Sequence, residues 1–339
     1  VQKHEAKATI NDVAEKAGVS KKTVSRVINR SPLLNDATRE KVEKVIAELG
    51  YVPNPQARAL ALRRNFLIGL VHDNPNAQTV LTVQQGMLEA IRDSEFALVL
   101  RSIDRRSPTL LEDIRFFIQQ QRLFGVLIMP PMSEMDALPA MCRELGCNYV
   151  RMGSARLDDE SHLVESNDRQ AVAAAVNHLI AQGHRRIGFV AGPQGFRSAY
   201  EREQGYRDAL SAHGIPVDPA LMAGGNYTFE TGLEAGRVLF SGAVRPSAIF
   251  SSNDEMAAGV VHAAHHAGLT VPDDVSLIGF DDTPIAAHMW PPLTTVRWPI
   301  KAMAYSAAIK LIYPDRAARE VAFFESETIH RESVAPFKM

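Results

Sequence analysis

Apolar residues recur at helical spacing through the first fifty positions. Ile10, Val13, Ala14 and Ala17 share one helical face, and Val24, Val27 and Ile28 share another. Between these stretches Gly18-Val19 marks a tight turn, where glycine accepts a positive φ without strain. Thr9, followed three residues on by Asp12, has the spacing of a capping box, and Ser20 stands where a second cap is needed. A third helix is expected from an Asn35 cap through Val42, Val45, Ile46 and Leu49, ended by Gly50. Tyr51-Val52-Pro53-Asn54-Pro55 reads as a stiff connector, because two prolines disfavour helix. Gln56–Arg64 has high helix propensity but is too short to be stable alone, so it is expected to order against a partner.

From Phe66 the period changes. Short apolar runs occur at Phe66–Val71, Phe96–Leu100, Val126–Met129, Asn148–Met152, Ile187–Val190, Ala248–Ser251 and Val275–Phe280. They alternate with amphipathic stretches near residues 78–93, 108–121, 134–145, 169–182, 198–213, 229–241 and 254–267. This alternation predicts parallel sheets with helices on both faces. The units outnumber one small sheet, so two similar lobes are expected. The fold class is an all-α helix-turn-helix head followed by an α/β body.

Charge adds a direction to this plan. The chain of 339 residues has a formal net charge of −2, but residues 1–64 hold 13 Lys+Arg against 7 Asp+Glu, and the remainder is acidic. A basic head on an acidic body confines affinity for polyanions to the N-terminal part. The outward residues of the second helix are Lys21, Lys22, Thr23, Ser25, Arg26 and Asn29. These are the side-chain types that contact base edges and phosphates from the major groove.

Other classes lack their signatures. Cys142 and Cys147 have neither metal nor redox spacing and are expected as buried thiols. His262, His265 and His266 fall at i, i+3 and i+4 without an acidic partner motif, so a solvated helix face is expected. No GxGxxG follows the first strand, and neither a GxSxG elbow nor a P-loop occurs. No enzyme activity, cofactor or metal is expected. No apolar run reaches membrane-spanning length, and the polar Val1–Ala8 lacks the apolar core of a secretory signal, so a cytoplasmic location is expected.

Together these residues resemble the LacI/GalR family of bacterial transcriptional repressors, over essentially the whole chain. Beyond residues 9–29, the resemblance is carried by Thr38-Arg39-Glu40-Lys41-Val42, the run Leu49 to Asn54 and Gly183-His184-Arg185-Arg186-Ile187-Gly188. It continues in Ser252-Asn253-Asp254-Glu255-Met256-Ala257, Gly279-Phe280-Asp281-Asp282-Thr283, Pro292-Leu293-Thr294-Thr295-Val296 and Arg331-Glu332-Ser333.

The resemblance implies a head at residues 1–54, a hinge helix and linker at 55–65, and a periplasmic-binding-protein-like body at 66–339. An N-lobe of about 66–160 plus 295–323 and a C-lobe of about 161–293 plus 326–339 are implied. The chain would cross between them near 152–164, 290–298 and 322–328. It further implies a homodimer reading a palindromic operator. A leucine-rich tail of the tetrameric kind is missing after Pro336, so a dimer is expected.

By the same resemblance Lys21 and Lys22 set operator choice, each by reading a base or by contacting a phosphate, and Arg26 is a further base reader. Thr9, Ser20, Thr23, Ser25, Asn29 and Asn54 would position the DNA backbone. Leu60, within Ala57-Arg58-Ala59-Leu60-Ala61, matches the leucine that enters the minor groove, with Ala57 beside it. In the body Asp73, Thr79 and Arg105 would line an effector cleft from one lobe. Ser198, Arg202, Tyr227, Asn253 and Asp281 would face them, with Trp298 near a crossing. Arg, Asn and Asp bracket hydroxyls, and aromatic faces suit sugar rings. The expectation is a repressor of carbohydrate-utilisation genes released by a small sugar, with a purine- or nucleoside-responsive corepressor type as the alternative.

Overall fold

The computed structural model describes residues 8–28, 34–51, 65–243 and 245–338. The chain divides into two units, Val1–Phe66 and Leu67–Met339.

In the head, helices α1 (Ile10–Ala17), α2 (Lys21–Ile28) and α3 (Asp36–Leu49) bury Val13, Ala17, Val24, Val27 and Val42 against one another. Thr9 and Asp12 form the reciprocal capping box, and Gly18 takes the left-handed conformation at φ 60°. The Ser20 hydroxyl accepts from the Thr23 amide at 3.1 Å, and Asn35 caps α3 through the Thr38 amide at 2.8 Å. Local chemistry therefore sets both ends of the turn.

The body holds two six-stranded sheets. The strands are β1 (Leu67–His72), β2 (Ala97–Ser102), β3 (Gly125–Ile128), β4 (Asn148–Gly153), β5 (Leu163–Ser166) and β6 (Ile187–Val190), then β7 (Met222–Ala223), β8 (Ala248–Ser251), β9 (Ser276–Asp281), β10 (Thr294–Arg297), β11 (Phe323–Phe324) and β12 (Glu327–Ile329). The first sheet runs β11-β5-β4-β3-β1-β2, all parallel. The second runs β12-β10-β9-β8-β6-β7, parallel except for β12. Helices cover both faces of each sheet, as parallel strands require.

One expectation is corrected. The expected lobe limits placed residues 163–166 in the C-lobe and 295–297 in the N-lobe. Strand β5 pairs with β4 in the first sheet, and β10 pairs with β9 in the second. The crossings therefore fall at residue 167, at 298–299 and at 325–326. Strands of four residues rich in hydroxyl or charged side chains give too short an apolar run to locate from sequence. Helix Ile300–Ile312 lies outside the stretches that the alternation marks; most of its residues are buried in the first lobe's core, with Lys301, Ala302 and Tyr305 exposed. Its Lys310 is buried as well. The ammonium donates to the carbonyls of Glu160 and Ala317 at 2.7 Å and of Glu320 at 3.1 Å.

Candidate functional site

Both sheets direct the C-terminal ends of their parallel strands toward one cleft, where open α/β sheets bind ligands. Its cavity volume is about 50 Å³. From the first lobe come Asp73, Asn74 and Asn76 after β1, Thr79 in the next helix, Pro130-Pro131 after β3 and Ser154 after β4. The second lobe adds Asp168, Phe196, Ser198, Arg202, Tyr227, Asn253 and Asp281, and Trp298 lies on a crossing segment.

Arg202 organises the centre. Its Nε donates to Asp168 at 2.9 Å and its Nη1 to the Ser252 carbonyl at 2.6 Å. The guanidinium stacks over Phe280 at 3.6 Å and lies 4.0 Å from the Asp281 carboxylate. Burial works against its charge, but Asp168, Tyr227 and Asp281 outweigh burial and hold it above the ordinary arginine range. Asp168 also accepts from Ser166 Oγ at 2.6 Å, and Ser166 accepts from Trp298 Nε1 at 3.0 Å. One chain of hydrogen bonds thus runs from a crossing segment to the second lobe's helix Arg197–Ala212. Trp298 packs against the cores of both lobes.

Asp281 is placed by strain. It sits at φ 110° and Asp282 at φ 55°, regions that cost a non-glycine residue about 1–3 kcal/mol each. Asp282 fixes the turn by accepting from Arg297 Nε at 2.7 Å and from Arg331 Nη2. Burial raises the Asp281 carboxyl well above the usual carboxylate range, although Arg202 opposes this. Tyr227 also has positive φ, at 65°, and its hydroxyl lies 3.3 Å from Ser198 Oγ. Burial raises the Tyr227 phenol too. A Cβ on Gly192 would overlap that hydroxyl, so glycine makes the room.

The sequence-predicted body residues converge, with two qualifications. Asn253 lines the cleft, but its Oδ1 caps a helix through the Met256 amide and its Nδ2 donates to the Tyr227 carbonyl. Part of its work is structural. Arg105 lies outside the cleft lining, at the mouth, with Nε 3.7 Å from Asp73 and its guanidinium 4.1 Å over the Phe196 ring.

Sequence reasoning missed Asp168, Phe196, Asn74, Asn76, Ser154 and Glu134. Asp168 opens a helix, where an acid reads as a favourable first-turn charge. The signal for Asn76 is Asn74-Pro75-Asn76, a turn and cap pattern. Asn76 Oδ1 accepts from the Gln78 and Thr79 amides, while its Nδ2 and Ser154 Oγ are buried without a protein partner among the described residues. Glu134 follows Pro131 in the first lobe and accepts from the Arg197 amide at 2.8 Å, across the cleft. Phe196, which precedes that helix, supplies no side-chain cap, so the opposite lobe provides one. Burial raises the Glu134 carboxyl against the pull of the Arg197 and Ser198 amides.

In the head, Lys21 and Lys22 are exposed on α2, with Thr23, Ser25 and Arg26 half-buried beside them. Thr9 and Ser20 are engaged as caps and remain exposed. The expected contacts at Asn29, Asn54, Ala57 and Leu60 lie outside the described residues. No helix of the described residues is long and apolar enough to cross a membrane.

Residues 9–54 match the description "Bacterial regulatory proteins, lacI family", and residues 176–334 match "Periplasmic binding protein-like domain". The ribose operon repressor of Escherichia coli K12 is 33% identical over 306 residues, covering 90% of this chain and 92% of that one. A complex of the transcriptional regulator CelR with cellobiose shares the fold with TM-score 0.70 and 33% identity, over 96% and 99% of the two chains. The lac repressor dimer bound to operator and an anti-inducer gives TM-score 0.79 at 26% identity, over 97% and 100%. Head and body match together, in order and nearly end to end, and the chain belongs to the LacI family of bacterial regulatory proteins.

Proposed function

We propose that this regulator represses carbohydrate-utilisation genes from a palindromic operator and is released by a neutral sugar. It acts as a homodimer in the cytoplasm and not as an enzyme. The carrying observation is the cleft's charge arrangement. Arg202 is already engaged by Asp168, whereas Asp281 has no hydrogen-bond donor given to it by the described residues and turns its carboxylate to the cleft. A carboxyl group beside an arginine already engaged by Asp168 can bond adjacent hydroxyls in either protonation state, and among the described residues the site offers an anionic ligand no free cation. Phe196, Tyr227 and Trp298 supply apolar faces for ring C–H groups. The CelR–cellobiose complex and the ribose operon repressor support a sugar as effector.

On DNA, α2 enters the major groove with Lys21, Lys22 and Arg26 toward the bases, while Thr9, Ser20, Thr23, Ser25, Asn29 and Asn54 hold the backbone and Ala57 and Leu60 serve the minor groove. In the body Asp73, Thr79, Ser198, Arg202, Tyr227, Asn253, Asp281 and Trp298 hold the effector, with Arg105 at the mouth. The effector acts through unequal affinity for the two lobe arrangements, a coupling of about 1–3 kcal/mol.

The test begins with selection of an operator from random duplexes by the full chain. Fluorescence anisotropy on that operator then compares sugars with purines and nucleosides. A sugar that weakens operator binding is the expected result. A purine that strengthens it, with sugars inert, overturns the reading.

A further inference from the structure

We propose that the effector is an oligosaccharide of at least two rings, whose second ring occupies an outer chamber at the cleft mouth. This rests on the saccharide reading above and extends it. The cleft opens beside a larger cavity of about 1130 Å³. Phe196 lines both spaces. The partition at this point is the Arg105 guanidinium lying on the Phe196 ring at 4.1 Å, tethered to Asp73 by a contact of 3.7 Å. A part-exposed, singly tethered side chain is a light barrier. A sugar chain passing it exchanges one stacking contact for another and gives the guanidinium hydroxyls to donate to.

The chamber has the chemistry of a pyranose site. Tyr200 lies one helical turn beyond Phe196, lines the chamber and is 51% exposed. Phe196 immediately precedes the helix that carries Tyr200, and both side chains line the chamber, so an aromatic surface follows the sugar outward. The facing wall is built from the glycine-bearing loops at 192–195 and 224–226, where bare backbone leaves amide and carbonyl groups accessible. Arg105, Arg106 and Arg197 are balanced there by Glu134, Glu203 and Glu234. Equal numbers of both signs fit a neutral polyhydroxyl ligand and give no anion field for a phosphate or uronate. A few polar groups around an apolar platform is the usual make-up of small-ligand sites.

The experiment titrates the full chain by calorimetry with cellobiose, maltose and lactose and with their single-ring halves, glucose and galactose. The expected result is one disaccharide bound at least tenfold more tightly than either of its halves. Tyr200→Ala should weaken that disaccharide about tenfold and leave monosaccharide binding within twofold, which also shows that the variant is folded. Tyr200→Phe should restore the affinity. The chamber proposal is overturned, with the saccharide reading intact, if a monosaccharide binds as tightly as every disaccharide or if Tyr200→Ala weakens both alike. If nucleosides bind and no sugar does, the saccharide reading fails first and the chamber with it.

Discussion

The two lobes face the same cleft with different materials. The second presents Arg202, Asp168, Asp281, Tyr227 and Asn253, which are charged, aromatic or amide side chains, cross-bonded, and in two cases held at positive φ. The first presents Asp73, Asn74, Asn76, Thr79 and Ser154, held by local turns and caps and including two polar atoms without protein partners among the described residues. One wall is organised before a ligand arrives, and the other keeps donors in reserve. Orientation should therefore be set by the second lobe, while the first contributes closure.

The largest effect should come from Arg202→Met. Removing the cation leaves Asp168 and Asp281 as buried carboxylates without a countercharge, a loss of about 3–5 kcal/mol by analogy with broken buried pairs. Urea unfolding of the full chain measures it. A loss below about 1 kcal/mol would mean that the second lobe's wall is not held by charge.

Asp281→Asn should separate binding from stability. Affinity for the effector should fall roughly 10- to 100-fold, the worth of a charged hydrogen bond, while the unfolding midpoint holds or rises because a buried carboxylate and its desolvation are gone. The opposite pattern, lost stability with intact affinity, would assign Asp281 to the frame.

Next is a pH effect led by one carboxyl of the second lobe. Buried Asp254 accepts from Thr295 Oγ1 at 2.6 Å and from the Thr283 amide at 2.7 Å, and burial pushes its carboxyl up to about 7. A carboxyl raised in the folded state favours folding when protonated. Its contribution is fully present below pH about 4 and is lost as pH rises through about 7. Melting temperature should therefore fall between pH 5.5 and 8, and Asp254→Asn should flatten that slope. An unchanged slope would show that another group sets it.

Smaller effects should mark the first lobe. Glu134→Ala removes the cap that it extends to the opposite helix, worth about 1 kcal/mol. Effector affinity should drop several-fold with little change in melting, and Glu134→Gln, which keeps a carbonyl acceptor, should recover most of it. Equal losses in affinity and melting would make Glu134 an ordinary structural residue. Ser154→Ala should leave stability unchanged and cost the effector at most one hydrogen bond, about 1 kcal/mol. A large stability loss would mean that its hydroxyl already has a partner.

How far the sequence foretold this depended on range. The head was legible because Thr9, Asp12, Gly18, Ser20 and Asn35 act on neighbours within three or four residues. The longer strands of both sheets stood out as apolar runs. Helix Ile300–Ile312 did not, because small and apolar residues fill almost every position, so its exposed Lys301 and Tyr305 mark no regular polar stripe. In the site, Arg202 and Asp281 came from family strings, but Asp168, Asn76 and Glu134 each passed for something local. Their roles depend on partners 34 residues away for Asp168 and 63 for Glu134, separations that no local pattern encodes.

The crossings at residue 167, at 298–299 and at 325–326 join the lobes by three short peptides, and the edges that they join are neighbours in each sheet, β5 with β11 and β10 with β12. A body pinned at three nearby points resists sliding and stretching but still turns about the line of the pins. Whatever a bound molecule tells this protein is therefore expressed as an angle between the sheets. Strand β1, the first strand among the described residues, belongs to the first of these two lobes.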